Sequence, residues 1–390
     1  MQGYFRKRGS TWSFTIDIGI DLKTGKRRQK TRSGFKTKKE AQLEAAKLQQ
    51  ALAEGTFINE KDTMFKEFVQ SWLKQYRSTV KVSTVRVREH ESGKLLTYFE
   101  GLKVRQITRK MYQDLLYDLF EQGYALNTIS GIHSTGRMIF KKAIELEVIK
   151  SDPTQFAKLP RLQKTVEELE SEEEVIKYLE KEELVIFLRT AREQGLDRDY
   201  EIFLTLAYSG LRVGELCALM WKDLSFEDYT IGVTKTYYNP RNITHDYQIL
   251  PPKTKSSRRI IELDPIVFKE LQRLKVKQNE LKMLHRNTYY DKDFVFAKIG
   301  KYLGYPELIK TIQNRMSRLL KLSGLNPALT PHSLRHTHTS LLAEAGVGIH
   351  EIMERLGHIE DDITKRVYLH VTKTMKTEAS KKFGELMRNL

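Results

Sequence analysis

With 390 residues, 40% of them hydrophobic, the chain is long enough for two or three domains. The sequence shows neither a signal peptide nor an apolar run of about 18 residues, which predicts a soluble cytoplasmic protein without a membrane segment. Its single cysteine, Cys217, excludes an intramolecular disulfide framework and a cysteine-rich zinc cluster. A net charge of +17 favours a polyanionic partner, either nucleic acid or an anionic membrane surface.

The first 59 residues are strongly basic, with 13 Lys and Arg against 5 Asp and Glu, and their pattern predicts three short strands followed by a helix. Gly25 supplies positive φ at the turn between the second and third strands. Thr37 and Glu40 have the spacing of a capping box, and Gly55 is the expected C-cap of the helix. The second strand has an alternating apolar face, formed by Trp12, Phe14, Ile16 and Ile18. Such a basic sheet suits DNA binding, and a charged, solvated face is the alternative.

Residues 63–158 are helical in pattern throughout and predict a separate four-helix domain. Ser83 and Thr108 are the expected N-caps of two of its helices, and Pro153 and Pro160 end the domain. The acidic run at 166–183 then reverses the charge, with nine Glu against two Lys. It is interpreted as part of a solvated linker, or alternatively as a segment that discourages DNA entry until the domains clamp.

From Tyr178 a helical domain runs to the end of the chain, interrupted by a strand region at 228–263. In "SGLRVGEL" Gly210 precedes Arg212 at the start of a helix that we expect to continue through Met220. An arginine beside the backbone N–H groups of a helix start forms an anion site. Glu215, three residues on, lies on the same face and holds the guanidinium in place, although taken alone this is an ordinary surface ion pair.

The segment "QILPPKTKSSRRIIEL" predicts two strands around a turn near residues 254–257. A lysine held in such a turn over a bound strand is a mobile proton donor, and Lys253 and Lys255 are both candidates. Lysines at a hairpin tip that serve only solubility are the alternative.

Five histidines and two arginines fall within residues 332–358. Because a Thr-Pro pair begins the helix, His332 and Arg335 lie one turn apart and can donate to one phosphate. The spacing of His332 and His336 also suits a shared Zn²⁺. No metal is expected, however, because "HSLRH" lacks the glutamate of the H-E-x-x-H motif and a fixed arginine opposes a cation. His336 and His338 are interpreted as packing or surface residues.

The last segment, "ERLGHIEDDITKRVYLHV", places His358 at a helix end and Tyr368 on the next helical pattern. A tyrosine is a poor nucleophile at neutral pH, because its free pKa is about 10, unless cations stabilise the phenolate. A core or interface tyrosine is therefore the alternative. The candidate cations are Arg212, Lys253, His332, Arg335 and His358.

In this order and spacing, "SGLRVGEL", a lysine turn, "HSLRHTHTS", "LGH" and "YLH" resemble the tyrosine recombinases of the phage-integrase family, over roughly residues 178–370. The layout before them is similar to integrases of phages and integrative elements of Gram-positive bacteria. The resemblance implies a mainly α fold with small β elements. Its parts are an arm-type DNA-binding domain of a three-stranded sheet and one helix (1–59), a helical core-binding domain (63–158), a linker (159–177) and a mixed α+β catalytic domain (178–390).

The resemblance also implies the chemistry. Tyr368 attacks the scissile phosphate and leaves a 3′-phosphotyrosyl link and a free 5′-hydroxyl, without ATP, metal or cofactor. Arg212 and Arg335 bind the non-bridging oxygens.

The proton transfers implied by the resemblance involve the remaining site residues. Lys253 protonates the leaving 5′-oxygen, with Lys255 as the alternative. His332 assists proton transfer, and His358 donates a hydrogen bond to the phosphate.

The implied partners are core and arm sites in double-stranded DNA, three further copies of the chain in a tetramer, and an accessory DNA-bending or excision factor. The C-terminal tail has an apolar helical face that docks on a neighbouring protomer or, alternatively, packs on its own domain; this face comprises Val371, Met375, Ala379, Phe383, Leu386 and Met387. The function predicted is integration and excision of a mobile element or phage genome. The alternatives are a resolving or inverting recombinase, a non-catalytic DNA-binding regulator and a metal-dependent nuclease.

Overall fold

The computed structural model of the chain describes residues 4–20, 25–54, 62–161, 178–252, 257–357, 364–371 and 387–388. The chain divides into two compact units, residues 1–165 and 166–390. Both are mainly helical with small β elements, as predicted. Among the described helices, none combines the length and the apolar character needed to cross a membrane.

The basic N-terminal region forms the predicted three-stranded sheet with one helix. Strands β1 (Tyr4–Arg8), β2 (Thr11–Ile20) and β3 (Arg27–Phe35) are antiparallel in the order β1-β2-β3, and helix α1 spans Lys38–Ala53. The alternating face of β2 packs against α1, so Phe14 and Ile16 are buried together with Ala41, Ala45 and Leu48. The opposite face of the sheet keeps its charged side chains in solvent.

The local signals in this region are mostly confirmed. Gly25 has a φ of +67°, in the left-handed region that favours glycine. The Thr37 side chain accepts from the Glu40 N–H, and the Glu40 carboxylate accepts from the Thr37 N–H, which is the predicted capping box. The helix ends at Ala53, while the expected cap Gly55 lies outside the described residues.

Residues 62–161 form the predicted four-helix arrangement around their own core. The helices are α2 (Phe65–Tyr76), α3 (Val82–Phe99), α4 (Arg109–Glu121) and α5 (Leu126–Glu145). Thr108 caps α4 through a 3.2 Å hydrogen bond from the Met111 N–H, as predicted. The prediction for Ser83 is wrong: the extended cap residue is Lys81, and Ser83 lies inside the first turn of α3. The two-residue difference reflects how freely a polar first turn frays.

In residues 178–371, helices and two small sheets pack around one large core. The helices are α6 (Lys181–Gln194), α7 (Asp199–Ser209), α8 (Val213–Cys217), α9 (Pro265–Leu284), α10 (Ile309–Leu322), α11 (Pro331–Glu344) and α12 (Ile349–Leu356), followed by a helical stretch at 364–371. The strands are β4 (Leu224–Ser225), β5 (Thr230–Val233), β6 (Thr236–Tyr238), β7 (Gln248–Leu250) and β8 (Arg259–Glu262). The predicted strand region is thus present. Of the expected linker, 162–177 lies outside the described residues.

The predicted hairpin around the lysine turn is wrong. Strand β7 pairs with β6, whereas β8 pairs with β5, so the strands that flank residues 253–256 belong to different sheets. The alternating apolar and polar residues of a short strand are compatible with pairing to more than one other strand. A turn signal alone does not determine which strand is the partner. Lys253 and Lys255 themselves lie outside the described residues.

Candidate active site

Arg212 occupies the N-cap position of the short helix α8. The expected continuation of this helix through Leu219 and Met220 is wrong, because α8 ends at Cys217. Met220 instead forms an antiparallel bridge with Phe294. The helix stops where the chain has to pair its backbone with this neighbouring segment.

Glu215 binds both the backbone and the side chain of Arg212. Its Oε2 accepts from the Arg212 N–H at 3.0 Å and its Oε1 accepts from Arg212 Nη1 at 3.0 Å. The Glu215 carboxylate therefore accepts from the Arg212 N–H, which is one of the backbone N–H groups that the sequence predicted to bind an anion. The Glu215 side chain is only 5% exposed, while that of Arg212 is 38% exposed. This is a half-buried ion pair that leaves the outer side of the guanidinium open to solvent, rather than an ordinary surface pair.

A second arginine, Arg259 at the start of β8, holds the other side of the same carboxylate. Its Nη2 donates to Glu215 Oε2 at 2.9 Å, and its side chain is 5% exposed. Burial raises the pKa of Glu215, but the hydrogen bond and charge of Arg259, with the charge of Arg212, outweigh it and hold that pKa below its usual range. Glu215 is therefore ionised at neutral pH.

Gly210, two residues before Arg212, is a point of close approach between three helices. Its φ of +60° ends α7 in the left-handed region. A Cβ at this position would lie 2.7 Å from side-chain carbons of His338 on α11 and Leu356 on α12. Only glycine allows the end of α7 to meet both helices here.

Arg335 binds at the same point and is 1% exposed. Its Nη1 donates to the Gly210 carbonyl and its Nη2 to the Leu356 carbonyl. Both carbonyls lie at the C-terminal ends of helices, where the helix dipole favours a cation. His332, one turn earlier on α11, is instead exposed, and its ring stands edge-on to that of His336 with 4.8 Å between centroids.

His338 is buried and has a defined protonation state. Its Nδ1 lies 2.9 Å from the Ala207 carbonyl, and Arg355 Nε donates to its Nε2 at 3.1 Å. Because a carbonyl only accepts, Nδ1 carries the proton and Nε2 is the acceptor. Burial, with the charge of Arg355, lowers the pKa of His338 to about 3, so the ring is neutral at physiological pH.

Gly357 brings the ends of two predicted site segments together. It follows α12 with a φ of +69°, and a Cβ there would lie 3.1 Å from Ser257 Cα and 3.2 Å from Arg259 Cδ. Ser257 is the first described residue after the lysine segment (residues 253–256), and Gly357 directly precedes His358, which like Lys253 lies outside the described residues.

Tyr368 lies in the helical stretch 364–371 and is half-buried. It packs against a small apolar cluster that comprises Ala343, Ile352, Leu356 and Val371. Leu356 is thus shared: its carbonyl binds Arg335 and its side chain belongs to the cluster beneath Tyr368. The remainder of the apolar tail face, apart from Met387, lies outside the described residues.

Two residues of this region, Arg259 and Arg355, were not singled out from the sequence. In "SSRRIIEL" two consecutive isoleucines point to opposite faces of the strand, so the sequence does not show which face is buried. Either arginine can therefore face inward. The structure buries Ile261 and leaves Ile260 75% exposed, which turns Arg259 inward. Arg355 gave no signal beyond its place on an amphipathic helix.

Three family models match the chain in succession. They are an Arm DNA-binding domain over residues 4–52, a Phage integrase N-terminal SAM-like domain over residues 64–120 and the Phage integrase family over residues 177–375.

Curated relatives cover most of the chain. An integrase of Staphylococcus phage L54a is 28% identical over 319 residues, which is 76% of this chain and 89% of that protein. The ICEBs1 integrase of Bacillus subtilis (strain 168) is 27% identical over 379 residues, 95% of this chain and 96% of that protein.

Among solved structures, the fold resembles the Tn1549 transposon integrase in complex with a circular intermediate DNA. The TM-score is 0.63 at 23% identity, over 82% of this chain and 100% of that one. Since the family model alone spans slightly more than half of the 390 residues, the chain belongs to the phage integrase family.

Proposed function

We propose that this chain is a site-specific DNA recombinase that integrates and excises a mobile element or phage genome through a 3′-phosphotyrosyl intermediate. As a member of its family it is a DNA strand-transferring tyrosine recombinase. The integrases of a phage and of the ICEBs1 element among its relatives support integration and excision over resolution or inversion.

One observation carries the assignment of the site: four separate segments converge around Gly210, Leu356 and Gly357. Arg212 follows Gly210 by two residues, and Arg335 donates to the Gly210 and Leu356 carbonyls. Gly357 contacts Ser257, and Tyr368 packs on the cluster that contains Leu356. Residues that are up to 158 positions apart in the chain (Gly210 to Tyr368) are thereby gathered in one region.

In the proposed reaction the Tyr368 hydroxyl oxygen attacks the scissile phosphorus. A phosphorus–oxygen bond to tyrosine forms as the bond to the 5′-oxygen breaks, so the number of phosphodiester bonds is conserved. We assign the stabilisation of the negative charge that grows on the non-bridging oxygens to Arg212, whose guanidinium is open to solvent, and to the positive charge of Arg335, which is buried at 1% exposure. Attack by a 5′-hydroxyl on the phosphotyrosine then reverses the step and rejoins the strand.

The proton balance assigns the remaining roles. The tyrosine hydroxyl loses a proton as it attacks, and the departing 5′-oxygen gains one. We propose that Lys253 donates the proton to the departing 5′-oxygen and that His332 assists proton transfer. We propose that His358 donates a hydrogen bond to the phosphate. Glu215 supports Arg212, as their two hydrogen bonds indicate.

The partner of this reaction is double-stranded DNA in the cytoplasm, bound at a core site and at arm sites. Exchange between two duplexes cuts four strands, and one Tyr368 per protomer requires four protomers, so we propose a tetramer on DNA. An accessory DNA-bending or excision factor completes the assembly.

The test is covalent adduct formation on a nicked core site, read in denaturing gels. Tyr368→Phe removes one oxygen and keeps the ring, so we expect normal DNA binding and no adduct. Arg212→Ala keeps the nucleophile and removes charge stabilisation, so we expect adduct that forms slower by about 10²–10³-fold.

Chelator supplies the control. Wild-type adduct formation should continue in its presence, because the proposed step uses no metal. Adduct in the Tyr368→Phe variant, or wild-type cleavage that stops with chelator, would overturn the proposed mechanism.

A further inference from the structure

Arg259 uses its guanidinium to bind three separate parts of the catalytic unit. Its Nη2 and Nη1 donate to the two oxygens of Glu215 at 2.9 and 3.4 Å. Nη1 also donates to the Ser257 carbonyl at 3.1 Å, and Nε to the Arg355 carbonyl at 2.7 Å. One side chain on β8 is thereby bonded to α8, to Ser257 directly after the lysine segment, and to α12.

Arg355 extends these contacts to two further elements. Its Nη2 donates to the carbonyls of Glu262 on β8, at 2.8 Å, and of Tyr208 on α7, at 3.4 Å. Its Nε donates to His338 on α11 at 3.1 Å, and His338 in turn binds the Ala207 carbonyl. A continuous series of hydrogen bonds thus runs from Arg212 through Glu215, Arg259 and Arg355 to His338.

The elements joined in this way carry the proposed site residues other than Tyr368. Arg212 caps α8 and Arg335 belongs to α11. Ser257 directly follows the lysine segment, and His358 follows α12 by two residues. Because interiors are close-packed and bonded groups move together, displacement of one of these elements displaces its bonded partners.

The arrangement of acceptors around residue 259 can be satisfied by an arginine but not by a lysine. Its guanidinium presents five N–H donors in a rigid planar fork, and the three acceptors here lie on different sides of that fork. A lysine keeps the charge, but its ammonium is a single point that cannot reach the carboxylate and both carbonyls in this arrangement.

We propose that Arg259 is a positioning residue for strand cleavage: it fixes Glu215, and through it Arg212, relative to the ends of the segments that carry Lys253 and His358. The inference rests on the proposed function, because it assumes that Arg212 acts on the scissile phosphate. The Arg259 side chain is only 5% exposed, so we do not expect it to contact the DNA itself.

The experiment compares Arg259→Lys with Arg258→Lys in the full chain, by single-turnover adduct formation on a nicked core site. The two arginines are adjacent and undergo the same change, but Arg258 is exposed. Misplacement of a group at a reacting centre by about 1 Å costs about 10²-fold in rate. We therefore expect Arg259→Lys to cleave about 10²-fold more slowly at saturating protein, with unchanged affinity for the site, and Arg258→Lys to cleave like wild type.

A second readout separates positioning from general structural damage. A methylphosphonate at the scissile position removes the charged non-bridging oxygen that Arg212 would bind. If Arg259 acts through Arg212, most of the difference between Arg259→Lys and wild type disappears on this substrate. For the same reason Arg259→Lys should add little to the defect of Arg212→Ala, because the two changes remove one interaction.

Each outcome has a definite reading. Wild-type protein without adduct overturns the proposed function, whereas active wild type with an equally active Arg259→Lys variant overturns this inference alone. An equal deficit on phosphate and methylphosphonate substrates also overturns it, since that result indicates damage unrelated to Arg212. If Arg259→Lys fails to fold, Glu215→Gln, which breaks the same series of hydrogen bonds, is measured on both substrates and read in the same way.

Discussion

His332 and His338 lie on the same helix and have opposite environments. His332 is exposed at its N-terminal end, where an imidazole can reach a ligand, whereas His338 is 6% exposed and bonded on both ring nitrogens. Protonation of His338 would place a second proton on Nε2. That nitrogen already accepts a hydrogen bond from Arg355 Nε, so the two N–H groups would oppose each other. The neutral ring is therefore a condition for the packing of α11 against α7 and α12.

This environment predicts a pH dependence of stability. An unfolded histidine has a pKa of about 6.5, whereas burial and Arg355 lower the pKa of His338 in the folded chain to about 3. Unfolding between these values takes up a proton, so the stabilisation is complete above about pH 6.5 and is lost as the pH falls toward 3. The maximum slope for one group is about 1.4 kcal/mol per pH unit.

The change that tests this is His338→Gln, which retains an acceptor for Arg355 and has no group that titrates. We expect the free energy of unfolding of wild type, relative to the variant, to decrease between pH 6.5 and pH 4.5. The measurement is denaturant unfolding of both proteins across that range. Parallel pH profiles for the two proteins would show that His338 is not held neutral.

At the scale of elements, α5 owes its position to a glycine. A Cβ at Gly136 would lie 2.2 Å from the hydroxyl oxygen and 3.0 Å from Cζ of Tyr112 on α4, and Tyr112 is fully buried. The Tyr112 ring is held by Phe99 and Phe140, with ring centroids 6.4 and 5.8 Å away, so it cannot turn aside cheaply.

We therefore expect Gly136→Ala to destabilise residues 62–161, since overpacking costs about 1–3 kcal/mol against about 1 kcal/mol gained in helix propensity. Hydrogen exchange of peptides from α4 and α5 reports this region separately from the rest of the chain. Gly93→Ala on α3, where nothing beyond the neighbouring backbone of the same helix lies within 4 Å of the added Cβ, should stabilise instead. Protection that rises equally in both variants would contradict the close contact at Gly136.

The elements that sequence predicted well are those with local signals. The capping box at Thr37 and the cap at Thr108 need only neighbours within three residues. The pairing of β7 with β6 and of β8 with β5 was missed because it depends on strands elsewhere in the chain, which no local pattern specifies.

The candidate site divides in the same way. Arg212 and Glu215 were found because three-residue spacing on a helix start brings them together. The contact between Glu215 and Arg259 joins residues 44 positions apart. Nothing near "SSRRIIEL" indicates that its second arginine meets a buried carboxylate, so only the folded chain reveals the shared ion pair.

At the scale of the whole molecule, positive charge is concentrated at the N-terminus. Residues 1–59 contribute a net +8 of the total +17 from under a sixth of the length. Strands β1 and β3 present exposed basic side chains, namely Arg6, Lys7, Arg8, Arg27 and Arg28. This arrangement favours a second DNA contact, separate from the one proposed around Tyr368. The strength of this second contact depends on phosphate neutralisation.

We therefore predict that removal of residues 1–59 separates two activities. The full chain should bind arm-site DNA with a steep salt dependence, because each phosphate contact adds about 0.9 to the slope of log affinity against log salt. Residues 63–390 should lose that binding and fail to integrate, yet still form the covalent adduct on a nicked core site, because the proposed cleavage residues all follow residue 210. Gel-shift titrations at several salt concentrations and adduct formation on the core site measure the two activities in parallel. Normal recombination of complete attachment sites by the truncated chain would show that the basic sheet is not the arm-binding element.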